Sequence, residues 1–264
     1  MGTPIGNLED ITLRALRILG EVELILAEDT RHSGHLTRHH GIATPLRALH
    51  AHTSDESVER VLDELEQGHR YALVSDAGTP VVSDPGARLV AGARARGIDV
   101  ESVPGPSAVA TAVSVCGLRA DRFRFVGFVP RSGGARTDLL RSIAASDDAQ
   151  VLFESPRRLP ALLEALEPLL RERKIAVCRE LTKLHEEVAL GTAAELAARF
   201  ETVRGEVTRV VEGRGTTAPD FDVDTFIRQR LASGEKVGSI AKAVAALSTL
   251  SRSEAYDRVH TIRE

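Results

Sequence analysis

The residues best placed to do chemistry lie in one stretch, Val74-Ser75-Asp76-Ala77-Gly78-Thr79-Pro80-Val81-Val82-Ser83-Asp84-Pro85-Gly86. The chemistry it suits is ligand binding. Gly78 and Gly86 let the backbone approach a ligand or take a positive φ. Asp76 follows a predicted strand, Tyr71 to Val74, and open α/β sheets place their ligand sites beyond the carboxyl ends of strands. The plain alternative is an ordinary strand-to-helix turn. Histidines form a second group. His32, His35, His39 and His40 cluster, with His35 and His39 one helical turn apart. No cysteine stands near them, so no metal site is expected. His50 and His52, on alternate positions, are better candidates for a role beside a cleft.

These residues need a scaffold, and the first 118 residues alternate strand and helix signals. Asn7 or Asp10 can cap a helix running to Leu19. Strands are predicted at Val22 to Ala27, Leu46 to Leu49, Tyr71 to Val74 and Ile98 to Val103. Helices fall between them: a weak one to His40, an amphipathic one from Ser54 to Gln67, and one from Ala87 to Arg96. Pro104-Gly105-Pro106-Ser107 opens an Ala/Val-rich helix ending at Cys116. The β/α order implies a mainly parallel sheet covered by helices. After Gly117 to Arg122 a mixed unit follows. Its strands are Phe123 to Val129, Val151 to Phe153 and Ile175 to Cys178, then Glu186 to Leu190 and Glu206 to Val211 as an antiparallel pair. Its helices are 136–145, 157–170 and 193–200, and Pro168 should end or kink the second. Gly213 to Pro219 reads as a linker. Three short helices, 222–232, 236–246 and 252–262, complete a helix-turn-helix-like bundle, with Ser251 as a cap. The expected domains are 1–118, 119–214 and 219–264.

Composition narrows the function. The 264 residues carry a formal charge of −4, which argues against a non-specific polyanion binder. Within 119–141, however, six arginines face two aspartates, so any nucleic-acid contact should involve that region. No apolar run can span a bilayer, and no secretory signal is visible, so a cytoplasmic protein without membrane contact is expected. Cys116 and Cys178 read as buried core residues in a reducing compartment.

Six blocks in order resemble one family. They are Thr3-Pro4-Ile5-Gly6-Asn7-Leu8 with Glu9-Asp10-Ile11-Thr12, Ala27-Glu28-Asp29-Thr30-Arg31, Ser75 to Gly86, Pro104-Gly105-Pro106-Ser107-Ala108, Phe153-Glu154-Ser155-Pro156-Arg157-Arg158, and Arg179-Glu180-Leu181-Thr182-Lys183. The chain resembles the tetrapyrrole methylase family, in particular its branch acting on ribosomal RNA, over nearly its whole length. The resemblance implies an α/β protein with a two-domain methylase fold: a parallel-sheet N-terminal domain, a mixed-sheet α+β second domain, and a small C-terminal helical domain. It implies S-adenosyl-L-methionine folded into the cleft between the first two. It also implies 2′-O-methylation of a decoding-centre cytidine in the 16S rRNA of the small ribosomal subunit, by a homodimer. The family pattern has a hydrophobic strand ahead of Thr3. Only Met1 and Gly2 precede it here, so the central sheet should be one strand short and the cofactor loop less firmly anchored.

The resemblance also distributes roles. Pro4, Ile5, Gly6, Asp76, Ala77, Gly78, Thr79, Ser107 and Ala108 would bind the cofactor through backbone groups and aliphatic packing, with Phe153 and Glu154 approaching from the second domain. Asp29, Arg31 and Lys183 would serve the chemistry, Asp29 by positioning or deprotonating the hydroxyl; Glu28 and Glu180 are further candidates. Arg131, Arg136 and Arg157 would contact RNA phosphates. Plainer roles stand beside these. Asp29 is a good helix cap, Phe153 suits a core, and Lys183 as a base needs a pKa far below about 10.4. Two other functions stay open: a methylase of this fold acting on a tetrapyrrole or other small molecule, and a non-catalytic RNA-binding protein.

Overall fold

The computed structural model describes residues 1–214, 223–248 and 250–263. The chain divides into two compact units, Met1–Gly213 and Arg214–Glu264. Residues 215–219 of the expected linker, and 220–222 after it, lie outside the described residues.

The first unit begins with α1 (Leu13–Glu21), β1 (Leu24–Ala27), α2 (Thr30–His39), β2 (Leu46–Ala48), α3 (Asp55–Glu66), β3 (Tyr71–Val74), α4 (Ala87–Ala95) and α5 (Ala108–Val115). The start differs from the single helix expected. Asn7 caps only a 3-10 turn at Leu8–Asp10, and Thr12 caps α1 through the Ala15 amide. Ser54 caps α3 as its sequence suggests. The three strands form a parallel sheet in the order β2-β1-β3. All four residues of β1 are buried, as a central parallel strand covered on both faces requires. One face packs Ile25, Ala27, Ala72 and Val74 with α1 and α2; the other packs Leu24 and Leu26 with α3 and α4.

Ile98 to Val103 is not a strand. Met1 to Thr3 lie between it and β3: the Met1 amine donates to the Leu73 carbonyl, the Gly2 amide to the Val103 carbonyl, and Thr3 forms a two-bond bridge with Gly78.

The rest of this unit holds β4 (Phe123–Phe128), α6 (Gly134–Ala145), β5 (Ala149–Glu154), α7 (Leu159–Leu170), β6 (Ile175–Arg179), β7 (Glu187–Gly191), α8 (Ala193–Arg199) and β8 (Val207–Val211). The five strands run in the order β4-β5-β8-β6-β7. β4 and β5 are parallel and the other pairs antiparallel. β7 and β8, expected as partners, are both antiparallel to β6, which separates them. Pro168 does not stop α7, which runs two residues further. Pro168 removes one amide donor from the last turn, and only two helical residues follow it. One face of this sheet meets α6, α7 and α8 through Leu152, Leu162, Leu166 and Val177. The other face packs Val151, Ala176 and Val210 against Ala112 and Cys116 of α5. α5 therefore covers the second sheet, although in sequence it closes the first β/α run.

The second unit has α9 (Val223–Ala232), α10 (Val237–Leu247) and α11 (Arg252–Arg263) around Ile227, Ile240, Val244, Ala255 and Val259. Ser251 caps α11 reciprocally: its hydroxyl accepts from the Glu254 amide, and the Glu254 carboxylate accepts from its own amide.

Candidate active site

A cavity of about 390 Å³ lies at the carboxyl ends of β1 and β3, walled on its other side by the ends of β4, β5 and β8. That size suits a small organic ligand. In-register pairing of Ala27 with Val74 sets the loops after β1 and β3 side by side. The Asp29 amide donates to the Asp76 carboxylate. Thr3 holds the loop from behind, its hydroxyl donating to the Ser75 carbonyl. Gly78 has φ +79°, and a Cβ there would touch Ile5 and the Pro106 carbonyl. The bare backbone thus forms part of the wall.

Nine of the eleven expected cofactor residues line this cavity: Ile5, Asp76, Ala77, Gly78, Thr79, Ser107, Ala108, Phe153 and Glu154. Pro4 and Gly6 do not. Gly6 instead faces the loop after β6, where a Cβ would collide with the Leu181 carbonyl and the Lys183 side chain. Its glycine permits that close approach. Phe153 sits edge-on to Phe125 at 4.9 Å and beside Phe128 at 5.4 Å, making an aromatic wall.

The residues expected to do chemistry are placed differently. Asp29 caps α2 and binds Arg31 in a bidentate pair. The Arg31 side chain holds the Asp29 carboxyl far below its ordinary range, so Asp29 is a poor proton acceptor. Neither Asp29 nor Arg31 is on the cavity wall. Lys183 is half-buried and bridges Glu180 at 2.9 Å and Glu206 at 2.7 Å. Burial opposes its charge, yet the two carboxylates hold the ammonium above its usual value. Lys183 is thus engaged as a bridge between two carboxylates.

Glu28 has the opposite character. It lines the cavity, and burial pushes its carboxyl upward, reinforced by Asp84, Asp76 and Asp29. Burial also raises Asp84, another wall residue. Carboxylates poised nearer neutrality suit proton transfer. Asp84 lay within the sequence stretch first singled out, but nothing in its spacing showed that it would turn inward. Cys178 also lines the cavity; burial pushes its thiol up to about 12, so it acts as an apolar wall. The two cysteines are free and buried, as expected.

Of the expected phosphate-binding arginines, Arg131 and Arg157 are exposed. Arg136 is half-buried and donates to the Pro130 and Ala161 carbonyls. Arg209 had no sequence signal. It is fully buried in the middle of β8, and its guanidinium nitrogens have no hydrogen-bond partner among the described residues. Burial lowers it to about 9, so it stays charged at neutral pH, favoured by Glu154 and opposed by Arg158. Glu154, also buried, already accepts from Arg158 and the Ser155 amide. Glu154 thus binds Arg158 directly and offsets the buried Arg209 charge only through space. Among the described residues no group of three histidine, cysteine or acidic side chains could hold a metal ion, and no helix is long and apolar enough to cross a membrane.

Comparison with known proteins matches this architecture. Residues 1–197 fit the model of the family described as Tetrapyrrole (Corrin/Porphyrin) Methylases. A Thermotoga maritima protein named ribosomal RNA small subunit methyltransferase I is 44% identical over 216 residues, covering 81% of this chain and 97% of its own. A Synechocystis protein of the same name is 39% identical over 97% of this chain and 94% of its own. Among solved structures, a Thermus thermophilus uroporphyrin-III-C-methyltransferase superposes with a TM-score of 0.58 at 23% identity, covering 80% of this chain and 91% of its own. A diphthine synthase superposes at 0.64 and 16% identity, covering 80% and 88%. With a family match from Met1 to the end of α8 and relatives aligned over nearly its full length, the chain belongs to the tetrapyrrole methylase family.

Proposed function

We propose that this chain transfers the methyl group of S-adenosyl-L-methionine to the ribose 2′-hydroxyl of a cytidine in the decoding centre of 16S rRNA, acting on the small ribosomal subunit in the cytoplasm as a homodimer. The observation that carries the reading is the run of relatives named ribosomal RNA small subunit methyltransferase I, at 39–44% identity over 81–97% of the chain. The cavity fits the cofactor. Gly78 offers backbone without a side chain, Ile5 and Ala108 give an aliphatic surface, and Phe153 an aromatic one. Glu28, Asp76 and Asp84 supply negative charge suited to a cationic sulfonium. When bound, the cofactor supplies the electrophilic methyl group.

The chain's own residues then orient the hydroxyl and remove its proton. Orientation alone can lower the barrier by several kcal/mol, up to about 7–11. Glu28 accepts the proton, since burial gives its carboxylate a basicity that Asp29 lacks. The test is transfer of labelled methyl from S-adenosylmethionine to unmethylated small subunits, followed by nuclease digestion and mass spectrometry. A 2′-O-methylcytidine from the decoding centre is the expected product. Cofactor binding without RNA labelling would favour a small-molecule substrate, and no cofactor binding a non-catalytic protein.

A further inference from the structure

A second depression opens on the first unit, away from the methyl-transfer cavity. It encloses about 510 Å³ between β2 and the start of α3, and its donors are Arg47, His50, His52, Ser54, Ser57 and Arg60. A smaller hollow of about 150 Å³ lies between it and the cavity. Asp84 lies on the wall of both cavity and hollow, while His50 and Thr53 lie on the wall of both hollow and depression. The three hollows are therefore neighbours, linked through shared wall residues.

The chemistry of the far end is uneven in a telling way. Its acidic wall residue, Glu64, is committed: it accepts from Arg47 at 2.6 Å and from the Tyr71 hydroxyl at 2.9 Å. Asp55, at the neighbouring helix start, is held by Arg88. Arg60 is exposed and no hydrogen bond or ion pair occupies it among the described residues. The rings of His50 and His52 face the same space, 6.5 Å apart and tilted. Ala48 is the one aliphatic residue on this wall among the described residues, so the apolar centre of a protein interface is missing. No third ligand makes the two imidazoles a metal site. What remains is a free guanidinium, two flat donor rings and the hydroxyl pair of Ser54 and Ser57, bonded to each other with one hydrogen left to donate, in one groove. A guanidinium pairs with phosphate, hydroxyls donate to it, and histidine rings stack on unpaired bases.

We infer that this groove seats the sugar-phosphate backbone of the RNA strand whose target nucleotide enters the methyl-transfer cavity. The inference rests on the RNA reading of the preceding section. It places strand recognition on the first β/α run, away from the arginine-rich 119–141 segment.

The test uses the full chain with unmethylated small subunits and the variant H50A/H52A/R60A, with Arg60→Glu as a second. KM for the subunit should rise about tenfold or more while kcat stays within about twofold, because the groove contacts substrate far from the reacting atoms. Affinity for S-adenosylmethionine by calorimetry should not change. The slope of log affinity against log salt should become shallower by about one for Arg60→Ala. The two failures separate. An unsubstituted chain that methylates no RNA overturns the substrate reading and the groove together. An active chain whose triple variant keeps the original KM and salt slope overturns the groove alone. Loss of cofactor affinity in the triple variant also overturns it, because the groove lies outside the cofactor cavity.

Discussion

The backbone amide of Asp29 donates to the carboxylate of Asp76 over 3.0 Å, stitching the ends of β1 and β3 where their ladder stops. Asp76 thus organises two loops at once. Asp76→Ala is expected to weaken S-adenosylmethionine binding about tenfold or more, through loss of both a carboxylate and loop order. Gly78→Val should do the same for a different reason: a branched side chain at φ +79° costs about 1–3 kcal/mol in backbone strain. Unchanged affinity in calorimetry for both would remove this loop from the site.

Glu28 and Asp29 are neighbours with opposite expected phenotypes. Glu28→Gln should lower the methyl-transfer rate on the order of a hundredfold, whereas Asp29→Asn should cost far less. Transfer by the unsubstituted chain should rise with pH as Glu28 ionises, through a midpoint above the usual carboxylate range. Stability runs the other way. A carboxyl raised in the fold favours folding most below its unfolded value, and the gain is lost as pH rises through the folded value. At neutral pH Glu28→Gln should therefore melt higher than its parent. A variant that is both inactive and less stable would point to a structural Glu28.

The charges beneath the cavity make a sharper test. Glu154→Gln breaks the pair with Arg158 and removes the negative charge that offsets the buried Arg209, and removing one partner from a buried ion pair costs about 3–5 kcal/mol. Arg209→Met added to it should recover a substantial part, since the guanidinium has no hydrogen bonds to lose. Additive losses in denaturant unfolding would show that Glu154 and Arg209 do not interact.

Lys183→Met should chiefly affect stability. Its ammonium bridges Glu180 and Glu206 at the cavity edge, and their attraction offsets its burial. A loss of about 1 kcal/mol is expected, with turnover changed by less than about threefold if Lys183 accepts no proton. A collapse in turnover at unchanged melting temperature would restore it to the chemistry.

Sequence alone carried the β/α alternation and the loop from Ser75 to Gly86, because strand ends and glycine turns leave strong local marks, while nine of the cavity residues came through the family resemblance. The residues expected to do chemistry are engaged by partners: Asp29 by Arg31, two residues on, and Lys183 by Glu206, a long-range contact that no local pattern shows. Arg209 was invisible for the same reason. In Val207-Thr208-Arg209-Val210-Val211 its burial depends on strands β5 and β6 pairing to either side. Ile98 to Val103 reads as a strand from composition, but a strand exists only where a neighbour completes its ladder.

The position of α5 has a consequence for how the protein comes to be made. Its apolar side is covered by strands that follow it in the chain, the last of them β8. During synthesis that side stays open until roughly a hundred further residues have emerged, and such distant pairing is slow. The first β/α run therefore cannot finish folding on its own. The methyl-transfer cavity is closed by the same late strands, so a nascent or truncated chain ending before β8 would present sticky surface before it could present any binding site.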